Sequence, residues 1–181
     1  MISIFINFLT FSRILLSFVI FLLLTSNNGY LFALILFIIA GISDYFDGYL
    51  ARKFNATSQI GEILDPIADK ILIVFVLFAL AVNLSSYLIG FAGSIIISRE
   101  IWVSALRDFN SRNNNENATR VITISKYKTA MQLFTVFIYL LGLAINFMLL
   151  IVVGDILLII AVLITIYTGY IYTLNSFEKR K

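Results

Sequence analysis

Six apolar runs, at about 8–25, 30–53, 62–83, 86–109, 124–146 and 149–174, leave this chain few ways to fold. Each is close to the roughly 20 residues that an α-helix needs to cross the hydrocarbon core of a bilayer. Short polar stretches separate them, such as the turn Thr25-Ser-Asn-Asn-Gly29. Only 13% of the 181 residues are charged and 61% are hydrophobic, with a mean hydropathy of +1.00. A soluble domain averages roughly 25% charged residues. The expectation is an all-α, polytopic membrane protein: a single domain over 1–181 with six transmembrane helices. The first positive residue is Arg13, so the apolar N-terminal run lacks the basic leader of a cleaved signal peptide. Pro66 falls in the opening turns of the third run, where a missing N–H costs least.

Charge placement predicts an orientation. All 13 Lys and Arg lie in or beside the first part of helix 1, the 2–3 and 4–5 connections, or the tail. The 1–2, 3–4 and 5–6 connections carry none. The positive-inside rule then puts both termini in the cytoplasm, as an even number of spans requires. Asp155, near the outer end of helix 6, is the acid outside this scheme, and snorkelling or helix packing is its expected role. Three Asn-x-Ser/Thr matches, at Asn55, Asn83 and Asn117, read as chance in an Asn-rich chain.

The chemistry concentrates in residues 44–69. Asp44 and Asp47 stand at i and i+3, with Gly48 and Ala51 continuing that stripe, while Gly61, Asp65 and Asp69 repeat at i+4. Flanked by apolar runs, these carboxylates lie at or near membrane depth. Four of them cost on the order of 10 kcal/mol unless neutralised. Arg52, Lys53 and Lys70 are too few cationic neighbours for that. Divalent cations are the natural neutraliser, because hard ions take carboxylate oxygens. With no His and no Cys, histidine or thiolate chemistry and disulfides are excluded, and any reaction must run on carboxylates.

The pattern Asp44-x-x-Asp47-Gly48-x-x-Ala51-Arg52, eight residues, Gly61-x3-Asp65-x3-Asp69 resembles the signature of the CDP-alcohol phosphatidyltransferases, and every fixed position is filled. The resemblance implies that Asp44, Asp47, Asp65 and Asp69 hold divalent ions, Mg²⁺ or Mn²⁺ and usually a pair, with Asp69 also the catalytic general base. It implies that Asn7, Thr10, Asp44, Gly48, Ala51, Arg52 and Gly61 lie against the CDP group. Asn7-x-x-Thr10-x-x-Arg13 is similar to the N-terminal element of bacterial members that make phosphatidylglycerophosphate. Ser98-Arg99-Glu100 with Ser104-Ala-Leu-Arg107, and Lys126-Tyr-Lys128-Thr129, resemble their fourth- and fifth-helix elements.

Arg99 and Arg107, eight residues apart, share a helix face. With Lys126 they form a cationic patch suited to the phosphate of an acceptor. The implied reaction transfers a phosphatidyl group from CDP-diacylglycerol to sn-glycerol 3-phosphate, releasing CMP, in a homodimer of the cytoplasmic membrane whose site faces the cytoplasm. Other acceptors used in the family, phosphatidylglycerol, inositol phosphate and serine, stay open. A divalent-cation transporter is the alternative from another class; it predicts midplane acids and inverted repeats, and no repeat is visible. The implied partners are these substrates and membrane lipids, with no nucleic acid.

Overall fold

The computed structural model describes residues 2–26, 29–54, 59–113, 115 and 123–177. They form six helices: α1 (Ile2–Thr25), α2 (Tyr30–Phe54), α3 (Gln59–Asn83), α4 (Tyr87–Arg112), α5 (Thr123–Ala144) and α6 (Met148–Phe177), and no strand occurs among the described residues. Two helices begin three or more residues before their apolar runs do. Nothing in Ile2–Phe8 breaks α1, and α3 starts at Gln59, before the acidic segment.

Among the described residues, four stretches are long and apolar enough to cross a membrane: Phe8–Thr25, Tyr87–Arg112, Tyr127–Ala144 and Met148–Phe177. The apolar part of α2 is shorter, Tyr30–Phe46, because the acidic segment opens within the same helix. Large apolar side chains such as Phe18, Leu22, Phe32, Phe78, Phe91 and Leu163 point outward. That outward face suits hydrocarbon as its solvent.

α3 is the central helix. It packs on α1, α4 and α5, while α2 lies against α1 and α5, and α6 lies against α4 and α5. Ile20, Leu24, Val76, Leu80, Leu140 and Leu158 belong to one buried cluster that runs through the bundle. The α3–α4 and α5–α6 connections use one device. Ser85 and Asn146 take left-handed backbone angles (φ 48° and 54°), and Ser86 N and Phe147 N reach back to Ala81 O and Gly142 O at 3.0 and 2.9 Å. These bonds satisfy carbonyls orphaned at the helix ends. The α1–α2 connection is held from α3, where Asn83 Nδ2 donates to Leu24 O and Tyr30 Oη, both at 2.9 Å.

Asp155 acquires a helix-packing role. Tyr139, fully buried on α5, donates its hydroxyl to Asp155 Oδ1 at 2.6 Å. Gly154 lets that ring lie against the α6 backbone, since a Cβ there would come within 2.8 Å of Tyr139 Cε1.

Candidate active site

A polar stripe on α1, Thr10, Arg13 and Ser17, faces into the bundle and is buried. The Arg13 side chain is 1% exposed, and its Nη1 lies 2.8 Å from Asp44 Oδ1 and 2.6 Å from Asp69 Oδ1. The two aspartates remain 49% and 43% exposed. One carboxylate from α2 and one from α3 therefore converge on a single cationic point while staying open to a cleft. This corrects the count of nearby cations, because Arg13 neutralises part of the acid cluster although it lies far away in sequence. Thr10 is fully buried and Gly61 is buried.

Asn7, Asp47, Gly48, Ala51, Arg52, Asp65 and Lys126 lie outside the residues whose side chains are described. Among the described residues, no three acidic side chains gather as an ion cage. Asp44 and Asp69 are the members of the expected cage that the structure brings together.

Asp69 also opens onto a cavity of about 430 Å³ between α3, α4 and α5. Its walls are mostly apolar, with Ile73, Val74, Ile96, Ile97 and Ile101, and its polar lining includes Lys70, Glu100 and Lys128. A second cavity, about 310 Å³, adjoins it and shares Glu100, Ser104, Lys128 and Thr129. Arg99 and Arg107 line this second space. The two predicted arginines thus share one pocket.

Arg99 is nearly buried, and its neighbours fix it. Its Nη1 donates to Glu100 Oε1 and its Nη2 to Thr168 Oγ1, each at 3.0 Å. Tyr172, fully buried on α6, lies between the guanidinium groups of Arg99 and Arg107, 5.5 and 5.7 Å from its ring centre. Such spacings suit cation–π attraction. Glu100 Oε1 also accepts from Lys128 of α5, while Lys70 of α3 sits 4.0 Å from Oε2 and donates to Ser104 at 2.8 Å. Three cations from three helices surround one carboxylate.

The profile of the CDP-alcohol phosphatidyltransferase family matches residues 4–167. The chain belongs to that family. A protein of Rickettsia bellii named CDP-diacylglycerol–glycerol-3-phosphate 3-phosphatidyltransferase is 39% identical over 169 residues, 92% of this chain and 91% of its own. A namesake from Rickettsia typhi is 39% identical over 171 residues, covering 92% and 93% of the two chains. Another from Wigglesworthia glossinidia brevipalpis is 39% identical over 120 residues, 66% of each chain.

Within this family member, several residues of the site escaped the sequence reading. Thr165, Thr168, Tyr172 and Ser176 form a buried polar stripe on α6, a stretch that reads as generic apolar sequence. Their partners come from α5 and α4: Gln132 to Thr165, Arg99 to Thr168, Ser125 to Tyr172 and Asn110 to Ser176. The spacing of 3, 4 and 4 residues is a helix-face period and was the available signal. Lys128, named only within a motif, reaches the cleft from α5.

Proposed function

We propose that this membrane phosphatidyltransferase moves the phosphatidyl group from CDP-diacylglycerol to sn-glycerol 3-phosphate, giving phosphatidylglycerophosphate and CMP. One observation carries the reading: Asp69 stands where an acid pair meets a cavity that adjoins the pocket of Arg99 and Arg107. The names of the Rickettsia relatives state the same donor and acceptor. The second pocket, rich in Arg and Lys, suits a phosphate monoester, because guanidinium groups pair phosphate oxygens in a fixed fork. The apolar cavity beside Asp69 suits a lipid chain of the donor.

Asp69 takes the proton from the C1 hydroxyl of glycerol 3-phosphate. That oxygen forms a bond to the β-phosphorus of CDP-diacylglycerol, and the bond to CMP breaks, its electron pair leaving on the CMP phosphate. Direct displacement is favoured because the chain has no His or Cys, and no Ser or Thr stands inside the signature beside a dedicated base to carry a covalent intermediate. The convergence of Asp44 and Asp69 on one cationic point fits a divalent ion, whose donors would be hard carboxylate oxygens. Asp44, Asp47, Asp65 and Asp69 would hold Mg²⁺ or Mn²⁺, and such ions supply positive charge against a diphosphate. Asn7, Thr10, Gly48, Ala51, Arg52 and Gly61 would bound the nucleotide, and Lys126 would add to the acceptor patch. The site faces the cytoplasm from the inner membrane, in a homodimer.

Release of CMP from CDP-diacylglycerol by the purified protein, acceptor by acceptor, tests this. Glycerol 3-phosphate should support turnover, chelator should abolish it, and Mg²⁺ or Mn²⁺ should restore it. Asp69→Asn should keep nucleotide binding and lose about 10²–10⁴ in kcat, the range for a general base. Full activity in chelator, or phosphatidylglycerol serving as well as glycerol 3-phosphate, overturns the assignment.

A further inference from the structure

We propose that Glu100 is the positioning residue of the acceptor pocket, acting through Arg99 and Lys128 rather than on the substrate. The inference rests on the phosphate-pocket reading above. An anion is an unexpected tenant of a site meant for a phosphate, which it repels. Yet Glu100 is 19% exposed in its side chain and lines both adjoining cavities. Its Oε1 accepts from Arg99 of its own helix and from Lys128 of α5, whose side chains are only 8% and 5% exposed, and Lys70 of α3 stands beside its other oxygen.

Lys and Arg are long, flexible side chains, and a ligand that must order them loses affinity to that ordering. Glu100 orders them beforehand. Three cations against one carboxylate leave the cluster positive, which complements a phosphate dianion. Arg99 is held from its other side as well. Thr168 takes its Nη2, Tyr172 lies under its plane, and Gly169 gives it room, since a Cβ there would sit 3.0 Å from Arg99 Cγ. Its Nε, buried, has no hydrogen-bond partner, so the group is fixed in direction without being saturated. Arg107, exposed and beside the Tyr172 ring, lines the same pocket and is the comparison variant.

Steady-state kinetics with both substrates varied, plus inhibition by inorganic phosphate, test the role. Glu100→Gln should raise KM for glycerol 3-phosphate and the phosphate inhibition constant about tenfold, leaving KM for CDP-diacylglycerol within about twofold. In a Lys128→Met background the same change should add much less than it does alone, because residues acting as a unit are non-additive. Glu100→Asp, which keeps the charge one methylene further back, should fall between, and carries the test if Glu100→Gln fails to fold. A fall in kcat with unchanged KM, an equal rise in both KM values, or full additivity with Lys128→Met overturns the proposal. If Arg107→Ala and Lys128→Met also leave the acceptor KM unchanged, the phosphate-pocket reading itself fails. If they raise it and Glu100→Gln does not, only the positioning role fails.

Discussion

Arg13 shows how one residue can hold a membrane site together. Its guanidinium is buried, and two of its partners, Asp44 and Asp69, belong to the acid cluster on neighbouring helices. Removing one member of a buried ion pair typically costs 3–5 kcal/mol, because the remaining charge is left without compensation. Here both aspartates are nearly half exposed, so solvent screening brings the expected loss for Arg13→Ala down to about 2 kcal/mol. Thermal unfolding in detergent measures it. The drop in Tm should be largest in chelator and smaller in Mg²⁺, since an added cation takes over part of the neutralisation. An Arg13→Ala protein as stable as the parent in chelator would show that the pair does not hold the helices. Arg13→Lys should recover part of the loss, because an ammonium keeps the charge but not the planar fork.

At the scale of the helix, α5 and α6 are joined by tight contacts near the α5–α6 turn and by a polar stripe further along, and one of those contacts carries a polar bond. That contact is the Tyr139 ring against Gly154, completed by the hydroxyl bond to Asp155; Gly142 against Leu150 and Ile151 is a second close approach. Gly154→Ala places a methyl inside the ring's van der Waals envelope, and Tyr139 is fully buried with little room to retreat. Overpacking of this kind costs about 1–3 kcal/mol. Gly41→Ala on α2 is the matched control, since a Cβ there meets nothing within 4 Å. The Gly154 variant should lose Tm and the Gly41 variant should keep or gain it, an Ala being about 1 kcal/mol better than Gly in a helix interior. Equal behaviour of the two would remove the special role of the Tyr139 contact.

At the scale of the molecule, the proposed site requires the 44–69 acid cluster and the basic residues to lie toward one face of the bilayer. The α3–α4 and α5–α6 turns carry no Lys or Arg, whereas Arg52 and Lys53 stand at the end of α2, Arg112 at the end of α4, and Arg120 in the α4–α5 connection. Reporter fusions at Ser86 and Asn146 should therefore read non-cytoplasmic and one at Asn113 cytoplasmic. A reversed pattern would put the proposed site on the wrong side for a soluble, cytoplasmic acceptor.

Much of this was legible in residue order, because helix formation and carboxylate spacing are local. Apolar runs of spanning length are visible as runs, and the stripes Asp44–Asp47 and Gly61–Asp65–Asp69 follow from helical period alone. The family, too, was readable in that spacing, and residues 4–167 match its profile. What residue order did not reveal was which distant groups meet. Arg13 and Asp69 are 56 positions apart, and Arg99 and Thr168 are 69 apart. Neither separation carries a period. The partners of Arg13, Glu100 and Asp155 were decided only when the helices packed, since burying a charge or hydroxyl is tolerable only where a neighbouring helix supplies its counterpart.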